Sequence, residues 1–322
     1  MWSVSPLVRV FVALWCAVAS GCVTAGSDPP PFEAGIGPGQ EGGASSGDAT
    51  PGGPAGPSCA EESQWIYLLT HVGPSGGVPA KAGFLRFEPD SGTVTMLGTL
   101  DCPGTAGPFS MAVDRSGHAW ALFVDGRIYR IRLADLQCEQ TAYDSEWQKV
   151  GQFGMAYASE SSGSPKEELF VAGTGREDSM YKVPHLGSLD TETFGIDVKG
   201  PLPVYGELTG NGLGEVWLFS GSATPYVVHE LDKTTGASLR TFDVGAIDPM
   251  LPSFGSGYAF AFWGGDYYIF FRSSNAVDQD PNATSNIWKL DPETGDVTLV
   301  KASIGHIVVG AGVSTCAPTT VL

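Results

Sequence analysis

Apolar residues in this chain come in short runs, each followed by a cluster of Asp, Thr, Ser and Gly and then by another short apolar run. The unit recurs five times. Its clearest copies are FLRFEPDSGTVTML from Phe84 to Leu97, VHELDKTTGASLRTFDV from Val228 to Val244 and IWKLDPETGDVTLV from Ile287 to Val300. The apolar runs are strand-sized, and the intervening residues are those that form tight turns. A denser copy spans Phe109 to Thr141. There PFSMAV predicts one strand, Asp114 to Gly117 a turn and HAWALF a second strand. Asp125-Gly126 marks a hairpin, RIYRIRL a third strand and QCEQT a fourth. No convincing amphipathic helix is visible between Cys59 and Cys316.

Four antiparallel strands joined by short turns and repeated along the chain predict a β-propeller. First strands of successive blades are expected at Phe109–Val113, Phe153–Tyr157, Tyr205–Thr209, Tyr258–Phe262 and Ile307–Val313. The last has no blade of its own, while Gln64–Thr70 has the character of a second strand without a first. Pairing these two segments closes a ring of five four-stranded blades. Six blades is the alternative, with the long stretch from Phe153 to Pro201 as the place where an extra one would fit.

Asp114-x-x-Gly117-x-x-Trp120 returns as Asn211-x-x-Gly214-x-x-Trp217. Asp or Asn caps the turn, Gly takes the left-handed position, and Trp packs between sheets. The pattern resembles the blades of NHL-type and YVTN-type propellers over most of residues 60–318. It departs from WD40 repeats, which end each blade on Trp-Asp. The resemblance implies a fold and little about activity, because propellers host enzymes, binders and scaffolds alike.

The N-terminus carries a different signal. Arg9 precedes an apolar run from Val10 to Ala19, and Ala19-Ser20-Gly21-Cys22 follows. The run is too short to span a bilayer and reads as a signal peptide over residues 1–21. Small residues directly before Cys22 resemble the lipobox of bacterial lipoproteins, which implies cleavage before Cys22 and diacylglycerol on its thiol. Ala19 stands where that motif usually has Leu. Val23 rather than Asp after the lipidated Cys implies the outer membrane. From Val23 to Ser58 the chain is rich in Gly, Pro and Ser and poor in large apolar residues. Such a segment cannot bury enough surface to order itself, and serves as a tether of roughly 35 Å. Residues 59–322 form the expected folded head.

Ring closure also organises the cysteines. Of six in the chain, Cys16 leaves with the signal and Cys22 carries lipid. Cys59 precedes the first strand and Cys316 follows the last, so closure brings them together. Cys102 and Cys138 then sit near the outer edges of adjacent blades. The expected disulfides are Cys59–Cys316 and Cys102–Cys138. A zinc site would need a C-x-x-C spacing that the sequence lacks.

Charge narrows the partners. The chain has 17 Lys+Arg against 35 Asp+Glu, a net charge of -18. Loss of Arg9 with the signal leaves 16 − 35 = −19. This acidity, with no Lys/Arg cluster, excludes nucleic-acid binding. It leaves the lipid anchor as the only membrane contact, and the head is expected to be a monomer.

Catalytic motifs are sparse. Gly73-Pro-Ser75-Gly-Gly77 matches G-x-S-x-G, but VPAKAG after it is no helix. His229-Glu230 begins a zinc-protease pattern without its second His. The other histidines, His71, His118, His185 and His306, have no ligand spacing. Asp278, Asp280 and Asn282 offer alternating oxygens, as Ca²⁺ loops do, without the Gly and bidentate Glu of such loops. No other cofactor is expected. Asn282-Ala-Thr284 is a sequon that most bacteria would not use. Propeller sites gather at one channel mouth, where Glu207, Tyr157, Trp263 and Asp266 are the candidates. Glu207 stands out as an acid in YGELTG, with no second carboxylate at an interpretable spacing. The aromatics of AFWGGDYYIFF are expected in the core between blades. The expectation is therefore an envelope lipoprotein whose head binds a protein or glycan without catalysis. An exported lactonase- or glycosidase-like hydrolase is the alternative.

Overall fold

The computed structural model describes residues 58–72, 81–104, 106–145, 150–175, 183–222, 224–250 and 255–320. The signal segment, Cys22, the tether through residue 57 and Ser75 lie outside them. The described strands form five four-stranded antiparallel sheets. In chain order, blade 2 contains β4 (Pro108–Val113), β5 (His118–Phe123), β6 (Ile128–Arg132) and β7 (Cys138–Gln140). Blade 3 contains β8 (Val150–Ser159), β9 (Glu167–Gly175), β10 (Pro184–Leu189) and β11 (Ile196–Pro201). Blade 4 contains β12 (Glu207–Gly210), β13 (Val216–Ser220), β14 (Val227–Leu231) and β15 (Ser238–Asp243). Blade 5 contains β16 (Gly255–Trp263), β17 (Asp266–Ser273), β18 (Asn286–Leu290) and β19 (Val297–Lys301).

Blade 1 is assembled from both ends of the head. Its order is β20 (Val308–Gly312), β1 (Ile66–Val72), β2 (Lys81–Glu88) and β3 (Thr93–Thr99). Tyr67 pairs with Gly312 and Leu69 with Gly310, which closes the ring. The inner strands pack in a cycle: β20 on β4, β4 on β8, β8 on β12, β12 on β16 and β16 on β20. The five-bladed reading holds. The stretch that left room for a sixth blade is filled by the long strands β8 and β9 of one blade.

The repeated Asp-rich unit is the turn between the third and outermost strands. Asp232 Oδ1 accepts backbone N–H groups from Thr234 and Thr235, and Asp291 Oδ1 accepts those of Glu293 and Thr294. Gly236 and Gly295 follow at φ of 74° and 78°, a conformation Gly adopts without steric cost. The second motif joins the first two strands of a blade. Asp114 Oδ1 accepts the N–H groups of Ser116 and His118, and its Oδ2 accepts Trp120 Nε1–H at 2.9 Å. Trp120 then packs with Phe153, Met155 and Tyr157 between blades 2 and 3. Trp217 lies 4.3 Å from the Tyr267 ring, joining blades 4 and 5. Phe87 meets Tyr268 and Phe270 edge-on, joining blades 1 and 5. The AFWGGDYYIFF aromatics are therefore core, with Phe260, Phe262, Phe270 and Phe271 all buried. One element was not foreseen, a short α-helix at Ser274–Gln279 capped by Ser273.

Cys59 is bonded to Cys316, with Cα atoms 5.8 Å apart, and Cys102 to Cys138, at 5.1 Å. The first links the two ends of the ring. The second ties the chain just before blade 2 to that blade's outermost strand.

Candidate functional site

The two ends of the central channel are built differently. Inner strands β4, β12, β16 and β20 all run in one direction, so their last residues gather at one end. There the chain after β20 lies over the ring. Ser314 Oγ donates to the Ser63 carbonyl at 2.9 Å, and Thr315 Oγ1 donates to Glu167 Oε2 at 2.7 Å. Gly264 N–H donates to the Pro318 carbonyl. A Cβ on Gly212 would stand 2.5 Å from the Thr315 carbonyl oxygen, so the segment is laid directly on the β12–β13 turn. Arg115 N–H holds the other oxygen of Glu167 at 2.9 Å. Burial raises the Glu167 pKa, and these hydrogen bonds oppose the rise. The Cys59–Cys316 bond fastens this cover.

At the opposite end the described residues leave a cavity of about 250 Å³, lined by Glu207, the β16 stretch Gly255 to Tyr258, Pro108 and Phe109 of β4, and His71, Val124 and Val309 at its rim. Glu207 is the first residue of β12 and is 3% exposed. Its Oε2 accepts the Ser110 Oγ–H at 2.7 Å. Ser110 belongs to blade 2 and Glu207 to blade 4, so this bond passes over the intervening blade 3 strand and spans the channel. The backbone that allows this is built from small residues. A Cβ on Gly154 would come within 2.4 Å of the Gly206 oxygen and 2.7 Å of Glu207 Cα, so only Gly lets β8 approach β12 this closely. A Cβ on Gly310 would touch Ser110 Cα at 3.1 Å.

Burial dominates the electrostatics of Glu207. It raises the carboxyl pKa to about 8, and the Ser110 hydrogen bond only partly opposes it. At neutral pH the carboxyl is mostly protonated. The phenols of Tyr205 and Tyr258 are raised by their own burial and then by the nearby Glu207 charge. Partial burial lowers the His71 pKa, leaving that imidazole neutral above its titration. The mouth thus presents one proton-bearing acid, aromatic walls and backbone. No ion pair found among the described residues includes Glu207, and no second carboxylate lines the cavity. The arrangement can donate or accept a hydrogen bond to a small group; it lacks the paired carboxylates of glycoside hydrolysis.

The four sequence candidates do not form one site. Tyr157 is buried in the contact between blades 2 and 3. Trp263 ends β16 at the covered end, and its Nε1–H donates to the Gln64 carbonyl at 3.0 Å. Asp266 begins β17 at that same end and pairs with Lys289 Nζ at 2.8 Å. Of the four, only Glu207 lines the cavity. Sequence reading missed Ser110, Phe109, Tyr258 and His71; position at the starts of β4 and β16 is the signal that could have found the first three. Asp278 lies in the short helix, and Asp280 accepts the Asn282 N–H at its end. Among the described residues no three His, Cys, Asp or Glu side chains converge to hold a metal. No helix among them is long and apolar enough to cross a membrane.

No protein-family model and no curated protein matches the chain. Solved structures align with much of the chain at low identity. A protein of unknown function from Bacteroides caccae is 10% identical at a TM-score of 0.46, covering 78% of this chain and 98% of its own. TolB from Acinetobacter baumannii is 12% identical at 0.44, covering 76% of this chain and 54% of TolB. A protein of unknown function from Bacteroides thetaiotaomicron is 11% identical at 0.41, covering 74% and 59%. This chain therefore spans little more than half of the last two, and likeness at this level concerns shape alone.

Proposed function

We propose that this chain is an envelope lipoprotein of bacteria. In this reading residues 1–21 direct export, Cys22 carries lipid in the outer membrane, residues 23–58 are a tether, and 59–322 form an NHL/YVTN-like binding head. The head is monomeric and non-catalytic, and its ligand is an envelope protein or glycan received at the Glu207 mouth. The observation that supports this best is the asymmetry of the channel. The C-terminal segment crosses one end and is tied there by a disulfide, while the described residues of the other line a cavity of about 250 Å³ with a single buried acid. Glycoside hydrolysis by paired carboxylates would need a second acid, and none of the described residues lining the cavity supplies one.

The anchor is tested by expressing the full chain and a Cys22→Ser variant in a Gram-negative host with labelled palmitate. Label and outer-membrane fractionation in the parent, both lost in the variant, are expected; an unlabelled parent refutes it. The binding reading is tested by chemical-shift mapping with envelope glycan fragments and short peptides. Shifts centred on Phe109, Glu207 and Tyr258 support it. Shifts confined to the Trp263 end, or turnover of lactone or glycoside substrates, count against it.

A further inference from the structure

Glu207 is a carboxyl lining an aromatic-walled cavity, and among the described residues no Lys or Arg lines that cavity with it. Phe109 and Tyr258 line the same cavity. Its only side-chain hydrogen bond in the described structure comes from the neutral Ser110 hydroxyl. Burial raises its pKa, and the Ser110 hydrogen bond opposes the rise. Ionising a buried acid without a counter-ion is costly, and a cation hydrogen-bonded directly to the carboxylate offsets that cost. Aromatic faces favour the same kind of guest, since the ring quadrupole attracts a positive charge, and the apolar walls suit an alkyl stem. The net charge of -18 raises the local concentration of cations around the head.

Resting on the reading of this mouth as the binding surface, we propose that it receives a primary ammonium on a flexible apolar stem, as a lysine side chain of a partner protein presents, with the ammonium hydrogen-bonded to the Glu207 carboxylate. The cavity volume is of the order needed for such a side chain and too small for a folded element. Binding is then coupled to proton release. Among the described residues, the titratable and hydroxyl groups around Glu207 are Ser110, His71, Tyr205 and Tyr258. Both phenols stay neutral because burial raises them, and His71 stays neutral because burial lowers it. Glu207 is therefore the group that loses a proton when the ammonium arrives. With its pKa near 8, about 0.9 of a proton leaves per ligand at pH 7.

The test is calorimetric titration of the full-length protein with Nα-acetyl-lysine methylamide, in two buffers of different ionisation enthalpy. The expected result is saturable one-to-one binding with nearly one proton released. The Nε-acetylated probe, which lacks the charge, should bind roughly tenfold or more weakly, as should the parent probe to Glu207→Gln. Gln keeps the shape and the Ser110 contact, so the variant should fold; Ser110→Ala provides a second variant that should retain the proton release. Equal binding of charged and acetylated probes at this mouth overturns the ammonium claim while leaving a binding module in place. Binding with no proton release also overturns it. Absence of binding by the lysine probe refutes the ammonium claim, and the separate mapping with glycans and peptides then decides whether the mouth binds anything.

Discussion

Replacing Glu207 by Gln should make the protein more stable at neutral pH. The carboxyl has a folded-state pKa of about 8, whereas an unfolded chain holds a Glu near 4.5. Between those values the unfolded state loses the proton and the folded state keeps it. The unfolded state therefore binds fewer protons, and stability falls as pH rises through this window. At pH 7 the ratio of the two titration factors is about 300, which corresponds to about 3 kcal/mol at 1.36 kcal/mol per decade. At pH 4 the same calculation gives well under about 1 kcal/mol, because both states are mostly protonated. Gln cannot ionise, accepts the Ser110 hydroxyl in the same place, and should escape the penalty. Denaturant unfolding of the two proteins at pH 4 and pH 7 measures the difference. The variants should be nearly equal at pH 4 and separated by about 3 kcal/mol at pH 7, roughly 6–12 °C in Tm for a domain of this size. A variant that is less stable at pH 7, or a difference that does not change with pH, refutes the burial argument.

Three further outcomes follow from the same geometry. Cys59→Ala with Cys316→Ala opens a covalent loop with a sequence separation of 257; it should cost about 5 kcal/mol in the chain-entropy picture, read from denaturant midpoints. Gly154→Ala sets a methyl against backbone of β12 that cannot yield easily. It should destabilise by about 1–3 kcal/mol and move the Glu207 titration, while Gly163→Ala, with open space around it, should show only the cost of its positive φ. Asp114→Ala removes the acceptor for two backbone N–H groups and for Trp120 Nε1. It should cost about 2–4 kcal/mol and alter Trp fluorescence in the native state.

Much of this fold could be read without coordinates because its information is local. The Asp232 and Asp291 turns repeat with a left-handed Gly at the same offset, and that offset marks the third hairpin of a blade. Ring closure followed from counting, since Ile307–Val313 had a strand's pattern and no blade to serve. The site was less legible for a physical reason. Inner strands are buried on both faces, so the period-2 alternation that tells inside from outside in an ordinary sheet is lost. In YGELTG nothing shows that Glu207 points across the channel while Tyr157, three letters after Gly154, points between blades. Nor does sequence show which end is covered. That depends on the path of residues 314–320, fixed by contacts such as Thr315 to Glu167, which are 148 residues apart. The small residues Gly154 and Gly310 carried the missing signal, since their lack of a side chain is what brings the inner strands near enough for Ser110 to meet Glu207.

The protonation state of Glu207 decides what the mouth can bind. Carbon-detected NMR of ¹³C-glutamate-labelled protein reports the Glu207 carboxyl directly, assigned by its loss in Glu207→Gln. A titration midpoint near 8 that falls on addition of Nα-acetyl-lysine methylamide is the predicted result. A midpoint near 4.5, unmoved by the probe, would place the carboxyl in water and remove the basis for an acid-floored binding mouth.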